Sequence, residues 1–210
     1  MCQMFEDREE AAIRLSQKLK KIIKNRDAVV VALVRGGVVL GKIISDYFSL
    51  PLDIIVVKKI GAPGNNELAI GAVGPKDTVY WNNKLSKILN ISKDEKLKLK
   101  ERKEVERIQQ EIVLKANGVD FKGKTAILVD DGIATGATVI TAAKFLKKEK
   151  TKNIILAIPF LSKDTLRDIK KYFDSVIYLF VVDEFYAVGE FYKNFPQVEN
   201  EQVLRILGKI

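Results

Sequence analysis

The feature that most constrains this fold is a series of short apolar segments rich in β-branched residues. Five of them are predicted to be strands, at residues 28–34, 52–57, 125–129, 153–158 and 176–182. A strand that is apolar at nearly every position is buried on both faces, which is typical of a parallel sheet covered by helices. The sequence therefore predicts an α/β fold in which a parallel sheet is flanked by helices.

The segments between these strands carry helix, turn and short strand patterns. Amphipathic spacing predicts helices at residues 6–24, 38–48, 92–114, 137–147 and 163–171, followed by a short helical tail. Ser92 and Glu95 fit a capping box at the start of the longest helix. Residues 69–73 and 78–81 are predicted to be short strands, and residues 60–66, rich in Gly, Pro and Asn, a mobile loop. With no linker or internal repeat, we expect one domain across all 210 residues with an irregular cap.

The residue counts limit the available chemistry. The chain has one cysteine and no histidine, which excludes the usual zinc-ligand sets, serine triads and cysteine–histidine pairs. Catalysis would depend on carboxylates, lysines, hydroxyls, backbone amides or a magnesium ion. No apolar run approaches the roughly 20 residues that span a bilayer, and residues 1–10 lack a signal-peptide pattern. We therefore expect a cytoplasmic location and no membrane partner.

The formal net charge of +9 suggests a polyanionic ligand, and nucleic acid is the first possibility. However, acidic residues interrupt most of the lysine clusters, which favours a solvated surface. The sequence also lacks zinc-finger spacing, an RNP-type aromatic motif and a basic region joined to heptads. The charge pattern therefore does not predict a nucleic-acid partner.

The most informative segment is AILVDDGIATGAT, residues 126–138. An apolar strand ends at Asp130 and Asp131, and ligands of open parallel sheets bind at the carboxyl ends of strands. The turn and helix start that follow consist of Gly132, Ile133, Ala134, Thr135, Gly136, Ala137 and Thr138. Amides at a helix start bind phosphate, and two carboxylates can accept hydrogen bonds from a sugar diol. A strand capped by solvated aspartates and a threonine N-cap is the alternative for this pattern alone.

The segment resembles the ribose-phosphate loop of type I phosphoribosyltransferases, in which two acidic residues follow an apolar run and precede Thr-Gly-x-Thr. A P-loop is excluded because no G-x-x-x-x-G-K-[ST] occurs. The resemblance implies displacement of pyrophosphate from 5-phosphoribosyl 1-pyrophosphate (PRPP) by a nitrogen base, with Mg²⁺ as cofactor. It also implies catalytic roles for Asp130 and Asp131, contact of both with the metal through water, and a homodimer.

Three further segments extend the resemblance over nearly the whole chain. Arg35, Gly36 and Gly37 occupy the place of the pyrophosphate loop, which in the family often contains a non-proline cis peptide; a plain turn is the alternative. Residues 58–71 resemble the flexible catalytic loop, in which Lys58 and Lys59 would contact phosphates. The alternative for these two lysines is a position at the end of an exposed strand.

The third segment is the C-terminal tail, residues 183–210. It resembles a hood that stacks the base, with Phe185 and Tyr186 as candidate contacts. An aromatic core that closes the domain, or a dimer face, is the alternative for this tail.

One position departs from part of the family. The 6-oxopurine enzymes carry an acidic residue where this chain has Ala134, whereas adenine-type enzymes carry alanine and use a glutamate of the flexible loop. Glu67 is the only acid in residues 60–71 and is the predicted proton acceptor, unless it is a solvated surface residue. The base stays open, with adenine-like purines favoured. The alternative function is a regulator of nucleic acid that binds PRPP or a nucleotide without transferase activity.

Overall fold

The computed structural model describes residues 4–23, 27–116, 118–183 and 187–210, apart from the side chain of Glu67. The strands are β1 (Ala28–Leu33), β2 (Leu52–Ile55), β3 (Lys58–Ala62), β4 (Asn65–Gly74), β5 (Thr78–Trp81), β6 (Thr125–Val129), β7 (Asn153–Ser162) and β8 (Ser175–Val182). The helices are α1 (Arg8–Leu19), α2 (Gly37–Phe48), α3 (Asn83–Ile88), α4 (Lys93–Leu114), α5 (Ala137–Lys148), α6 (Lys163–Ile169) and α7 (Asn200–Ile206). Short 3₁₀ turns occupy Lys170–Tyr172 and Val188–Phe191.

The central sheet is parallel throughout, in the order β2-β1-β6-β7-β8. All six residues of β1 are buried, because alternate side chains enter different apolar clusters. Val29 and Val31 belong to the cluster that contains the apolar face of α5. Val30 belongs to the cluster that contains Leu15 of α1 and Leu40 of α2. The predicted parallel sheet between helices is confirmed.

A second, antiparallel sheet has the order β3-β4-β5 and includes both predicted short strands. Two side chains of α5 connect to it. Thr141 Oγ1 donates to the carbonyl oxygen of Ala72 at 3.4 Å, and Lys144 Nζ donates to that of Val79 at 3.1 Å. The small sheet is thereby held beside the main one.

The prediction of an irregular loop over residues 60–66 is wrong. The segment forms the end of β3, a turn at Pro63 and Gly64, and the start of β4. Ile60 and Ile70 are fully buried in the apolar cluster of the small sheet, and this burial stabilises an extended hairpin despite the turn-forming composition. Closure of the segment over a substrate stays a prediction.

Two other predictions are confirmed. At the start of α4, Ser92 Oγ accepts from the Glu95 amide at 3.2 Å, and the Ser92 amide donates to Glu95 Oε2 at 2.9 Å, which completes the capping box. In the C-terminal tail, Phe191 and Tyr192 are buried against Phe5, as the aromatic-core alternative predicts for these two rings.

Among the residues described, no helix combines the length and apolar character needed to cross a membrane.

Candidate active site

The loops that follow β1 and β6 lie against each other at the carboxyl edge of the main sheet. The two strands are parallel neighbours, with Ala32 paired to Val129. A Cβ on Gly36 would lie 1.9 Å from Asp131 Oδ2, and one on Gly37 would lie 2.7 Å from the carbonyl oxygen of Val129. Only glycine fits this approach, so the predicted pyrophosphate loop packs directly on the predicted ribose-binding aspartates.

Arg35 lies at the open side of this contact. The peptide bond between Val34 and Arg35 is cis, as the resemblance implies. Arg35 Nη1 is 3.2 Å from Glu199 Oε2, and both side chains remain partly exposed. Together with Lys58, Arg35 lines a polar cleft of about 490 Å³ beside Gln109 of α4. The cleft can therefore present two cations to an anionic ligand.

The two lysines at the start of β3 have different surroundings, as expected for consecutive strand residues that point to opposite sides. Burial lowers the pKa of Lys58, the carboxylate of Glu106 opposes this shift, and the charges of Lys103 and Arg35 add to it. The Lys59 ammonium instead acts on Asp130, where burial raises the carboxyl pKa and the Lys59 charge opposes that rise. Lys58 thus lines the cleft, whereas the charge of Lys59 acts on Asp130.

Asp131 is anchored by hydrogen bonds from buried side chains. Its Oδ2 accepts from Arg8 Nε at 2.9 Å, and its carbonyl oxygen accepts from the Tyr192 hydroxyl at 2.6 Å. Arg8 also donates to the carbonyl oxygen of Pro196 at 2.8 Å and lies 3.6 Å above the ring of Phe195. Burial raises the pKa of Asp131, and the Arg8 guanidinium opposes that shift. α1 and the C-terminal tail together fix this carboxylate.

Asp130 is the more accessible member of the pair. Its Oδ1 accepts from the Asp131 amide at 3.0 Å. Burial, and next the neighbouring Asp131 charge, raise the pKa of Asp130 well above its usual range, while Lys59 opposes them. A hydroxyl donor or a cation of a ligand would therefore stabilise the ionised form of Asp130.

The turn between the aspartates and α5 is shaped by its contacts with β7 and α6. The Ile133 amide donates to the carbonyl oxygen of Phe160 at 3.3 Å, and Thr165 Oγ1 donates to that of Ala134 at 2.5 Å. Gly136 has φ +76°, and a Cβ there would lie 2.6 Å from Ile169. The turn is thereby fixed before any ligand binds.

The predicted phosphate ligands of this turn are accessible. Thr135 is exposed and Thr138 is half-buried, and the described part of the chain provides no hydrogen-bond partner for either hydroxyl. Gly136 is the N-cap residue of α5 and Ala137 its first residue, so the first amides of the helix have no side-chain cap. These groups are available to an anion, as at the helix starts that bind phosphate.

Arg8 is the residue that the sequence reasoning missed. It is 7% exposed and lies on the buried face of α1, in line with Ala12, Leu15 and Leu19. An arginine that extends an apolar helical stripe by one turn is a signal of a buried ion pair, because a buried charge requires a partner. The sequence does not indicate which acid pairs with it.

Three predicted residues fall partly or wholly outside the described structure. Glu67 lies in β4, but its side chain is outside the described part. Phe185 and Tyr186 also lie outside the described residues. The site consequently consists of Arg8, the loops at residues 34–37 and 130–138, Lys58 and Lys59.

The donor set indicates how a metal could bind. Among the residues described, no group of three His, Cys, Asp or Glu side chains could cage an ion. Asp130 and Asp131 nevertheless offer carboxylate oxygens next to the candidate anion site at the start of α5. This combination suits Mg²⁺, which keeps several waters and usually binds one or two carboxylates together with substrate phosphates.

Comparison with known proteins identifies relatives. Residues 3–188 match the model of the phosphoribosyl transferase domain. Over 208 residues the chain is 31% identical to a candidate phosphoribosyl transferase of Mycobacterium tuberculosis, covering 98% of this chain and 47% of the relative. The chain thus spans about half the length of that curated relative.

Solved structures share the fold of this chain. TT1426 of Thermus thermophilus is similar with a TM-score of 0.81 and 30% identity, over 97% of each chain. A purine phosphoribosyltransferase of Pyrococcus horikoshii has a TM-score of 0.52 and 20% identity, over 93% of this chain and 99% of that chain. The second comparison is evidence for the fold alone.

Proposed function

Because the chain belongs to the phosphoribosyl transferase domain family, we propose that it transfers the 5-phosphoribosyl group of PRPP to a nitrogen base. The bond from C1 of ribose to pyrophosphate breaks, a bond from C1 to the base nitrogen forms, and the base loses a proton. The packing of Gly36 on Asp131 carries this proposal, because it brings together the two loops that we propose bind the phosphate and the pyrophosphate of one substrate. Base-dependent release of pyrophosphate tests it.

The 5-phosphate binds in the turn between β6 and α5. Its oxygens accept from the Thr135 and Thr138 hydroxyls and from the amides at the start of α5, whose dipole favours an anion. The turn is already fixed by Ile133 and Ala134, so little conformational freedom is lost on binding. This site holds the end of the substrate that does not react.

The pyrophosphate binds on the opposite side of the ribose. Arg35 offers a planar fork of donors, and Lys58 and Lys59 add two point charges from β3. Negative charge builds on the leaving pyrophosphate as the C1–oxygen bond breaks. Cations that are already in place stabilise that charge more than they stabilise the bound substrate, and this difference lowers the barrier.

The aspartates hold the ribose between these two ends. Asp130 accepts hydrogen bonds from the ribose diol. Asp131, which Arg8 anchors through Oδ2, fixes the geometry of the turn and offers its other carboxylate oxygen to the ribose. Both carboxylates also favour the positive charge that develops on the ribose. Mg²⁺, when bound, neutralises phosphate charge, and Asp130 and Asp131 are the residues that would hold it, through water.

The base is proposed to be an adenine-like purine. Ala134 cannot take a proton, so the turn lacks the acid that 6-oxopurine enzymes carry at this place. Glu67 of the β3–β4 hairpin is the proposed acceptor of the base proton.

Glu67→Gln is expected to lower turnover roughly 100-fold, because general-base catalysis contributes about 10²–10⁴. Affinity for PRPP should change little, since the substitution removes no proposed phosphate contact. Pyrophosphate release and calorimetric titration of PRPP measure the two quantities. Glu9→Gln, an exposed change on α1, is the matched control. Unchanged turnover in Glu67→Gln would remove this residue from the mechanism.

A further inference from the structure

Glu199 binds the arginine that the proposed function assigns to pyrophosphate. Its Oε2 accepts from Arg35 Nη1 at 3.2 Å, and its Oε1 accepts from Gln197 Nε2 at 2.7 Å. Carboxylates and phosphates bind a guanidinium in the same way, because each can present two oxygens to its fork of donors. Glu199 therefore occupies a donor of Arg35 that a pyrophosphate would use.

The backbone on both sides of Glu199 is anchored in the core. Val198 and Val203 are buried, and both belong to the apolar cluster that contains Val38 of α2. Val38 follows directly after the loop that carries Arg35, so that loop and the start of α7 pack on the same cluster. Glu199 is consequently held beside Arg35, and its carboxylate can leave the guanidinium only by rotation of the side chain.

Neither helix capping nor stability accounts for this contact. Glu199 is the N-cap residue of α7, but none of the amides of that helix donates to its side chain, and glutamate is not among the residues that favour an N-cap. The Glu199 and Arg35 side chains are 62% and 31% exposed, and ion pairs with such exposure add little to the free energy of unfolding. A role at the site explains the contact better than a role in folding.

The second cation of the cleft is in a different situation. The carboxylate of Glu106 acts on Lys58, where it opposes the lowering of the lysine pKa by burial. However, Glu106 Oε2 also lies 2.7 Å from Lys103 Nζ. In the part of the chain that the structure describes, Arg35 is the one cation paired with Glu199. Competition between a protein carboxylate and an anionic ligand is therefore concentrated at Arg35.

Such competition affects the product more than the substrate. In PRPP the diphosphate is bonded to C1 of ribose, whereas the leaving pyrophosphate keeps the electron pair of the broken bond and carries one more negative charge. The Glu199 carboxylate repels the more highly charged ion more strongly. It should consequently weaken binding of pyrophosphate more than binding of PRPP.

We propose that Glu199 competes with pyrophosphate for Arg35 and thereby promotes release of this product. The proposal rests on the proposed function for the identity of the ligand. Glu199 is a positioning residue in this account, because it acts through Arg35 and not on the reacting atoms.

Calorimetric titration of inorganic pyrophosphate, at one fixed Mg²⁺ concentration, tests the competition. Glu199→Gln keeps the size of the side chain and removes its charge. It should bind pyrophosphate roughly fivefold more tightly, which corresponds to the upper range for an exposed ion pair. Glu201→Gln is the matched control, because it removes a charge of the same helix that pairs with Arg205 instead, and it should bind like the native chain. Equal or weaker binding by Glu199→Gln would overturn the proposal.

An Arg35→Gln background shows whether the effect passes through Arg35. This substitution should weaken pyrophosphate binding by itself. Adding Glu199→Gln should then improve binding by less than about twofold, because the two residues are coupled. The same fivefold gain in both backgrounds would show that Glu199 acts only as a general surface charge, and would contradict competition for Arg35.

Product inhibition separates this proposal from the proposed function. With an accepted base, the inhibition constant of pyrophosphate should fall roughly fivefold in Glu199→Gln, and the KM for PRPP should fall less. Transfer with equal inhibition constants in both chains would contradict the competition alone. Tighter pyrophosphate binding by Glu199→Gln without transfer to any base would contradict the proposed function and leave the competition standing. No pyrophosphate binding by either chain would contradict both.

Discussion

Asp131→Ala is expected to lower both stability and turnover by large amounts. Arg8 and Asp131 are nearly inaccessible, at 8% and 13% side-chain exposure, so solvent screens their pairing weakly. Removing one partner of a buried ion pair costs about 3–5 kcal/mol, because the other charge is left uncompensated. Turnover should fall roughly 100-fold or more, since hydrogen bonds to a charged group contribute about 1.5–3 kcal/mol each. Urea unfolding and pyrophosphate release measure the two effects.

A double variant separates these effects. Arg8→Met together with Asp131→Ala removes both charges and keeps an unbranched side chain over the ring of Phe195. Stability should recover most of the loss, because replacing a whole buried pair by apolar groups is often neutral. Turnover should stay low, since the site still lacks a carboxylate. Recovery of turnover in the double variant would show that Asp131 acts only by neutralising Arg8.

Gly36→Ala is the second change with a large expected effect. The new methyl group would lie 1.9 Å from Asp131 Oδ2, an oxygen that Arg8 holds in place. Either the loop that carries Arg35 must move away or the ion pair must break. Overpacking of this kind typically costs about 1–3 kcal/mol, and turnover should fall by roughly 100-fold, since a 1 Å misplacement can cost that much.

The control for Gly36→Ala is a glycine in open surroundings. Gly208 has φ +66° with no atom within 4 Å of an added Cβ, so Gly208→Ala should cost only about 1 kcal/mol of backbone strain. Its turnover should match that of the native chain. Native turnover in Gly36→Ala would contradict the close packing of the two loops.

The parallel sheet could be predicted because its central strands, β1, β6 and β7, are buried on both faces. β1 and β6 coincide with nearly unbroken apolar runs. The same runs therefore predict where these strands lie in the sequence and that they are buried. The start of α4 was equally predictable, since Ser92 and Glu95 satisfy each other locally. The burial of a strand and the capping of a helix are encoded by residues that are close in sequence, and a sequence pattern therefore indicates both.

The hairpin β3–β4 and the Arg8–Asp131 pair depend on distant contacts. Ile60 and Ile70 are buried in one apolar cluster, and this burial outweighs the loop-forming composition between them. The composition of the segment does not show which residues are buried together. Arg8 and Asp131 are 123 residues apart in sequence. Of the site, the loops at residues 34–37 and 130–138 could be located from motifs, whereas the interior support of Asp131 by Arg8 became visible only in the fold.

The most direct test of the central claim is release of pyrophosphate from PRPP and Mg²⁺ in the presence of a panel of nitrogen bases. The native chain should release pyrophosphate with at least one base, adenine-like purines first, and not in the absence of a base. Asp130→Asn combined with Asp131→Asn should abolish the release. No release with any base, together with steeply salt-dependent binding to RNA or DNA, would contradict the transferase account and favour a regulator.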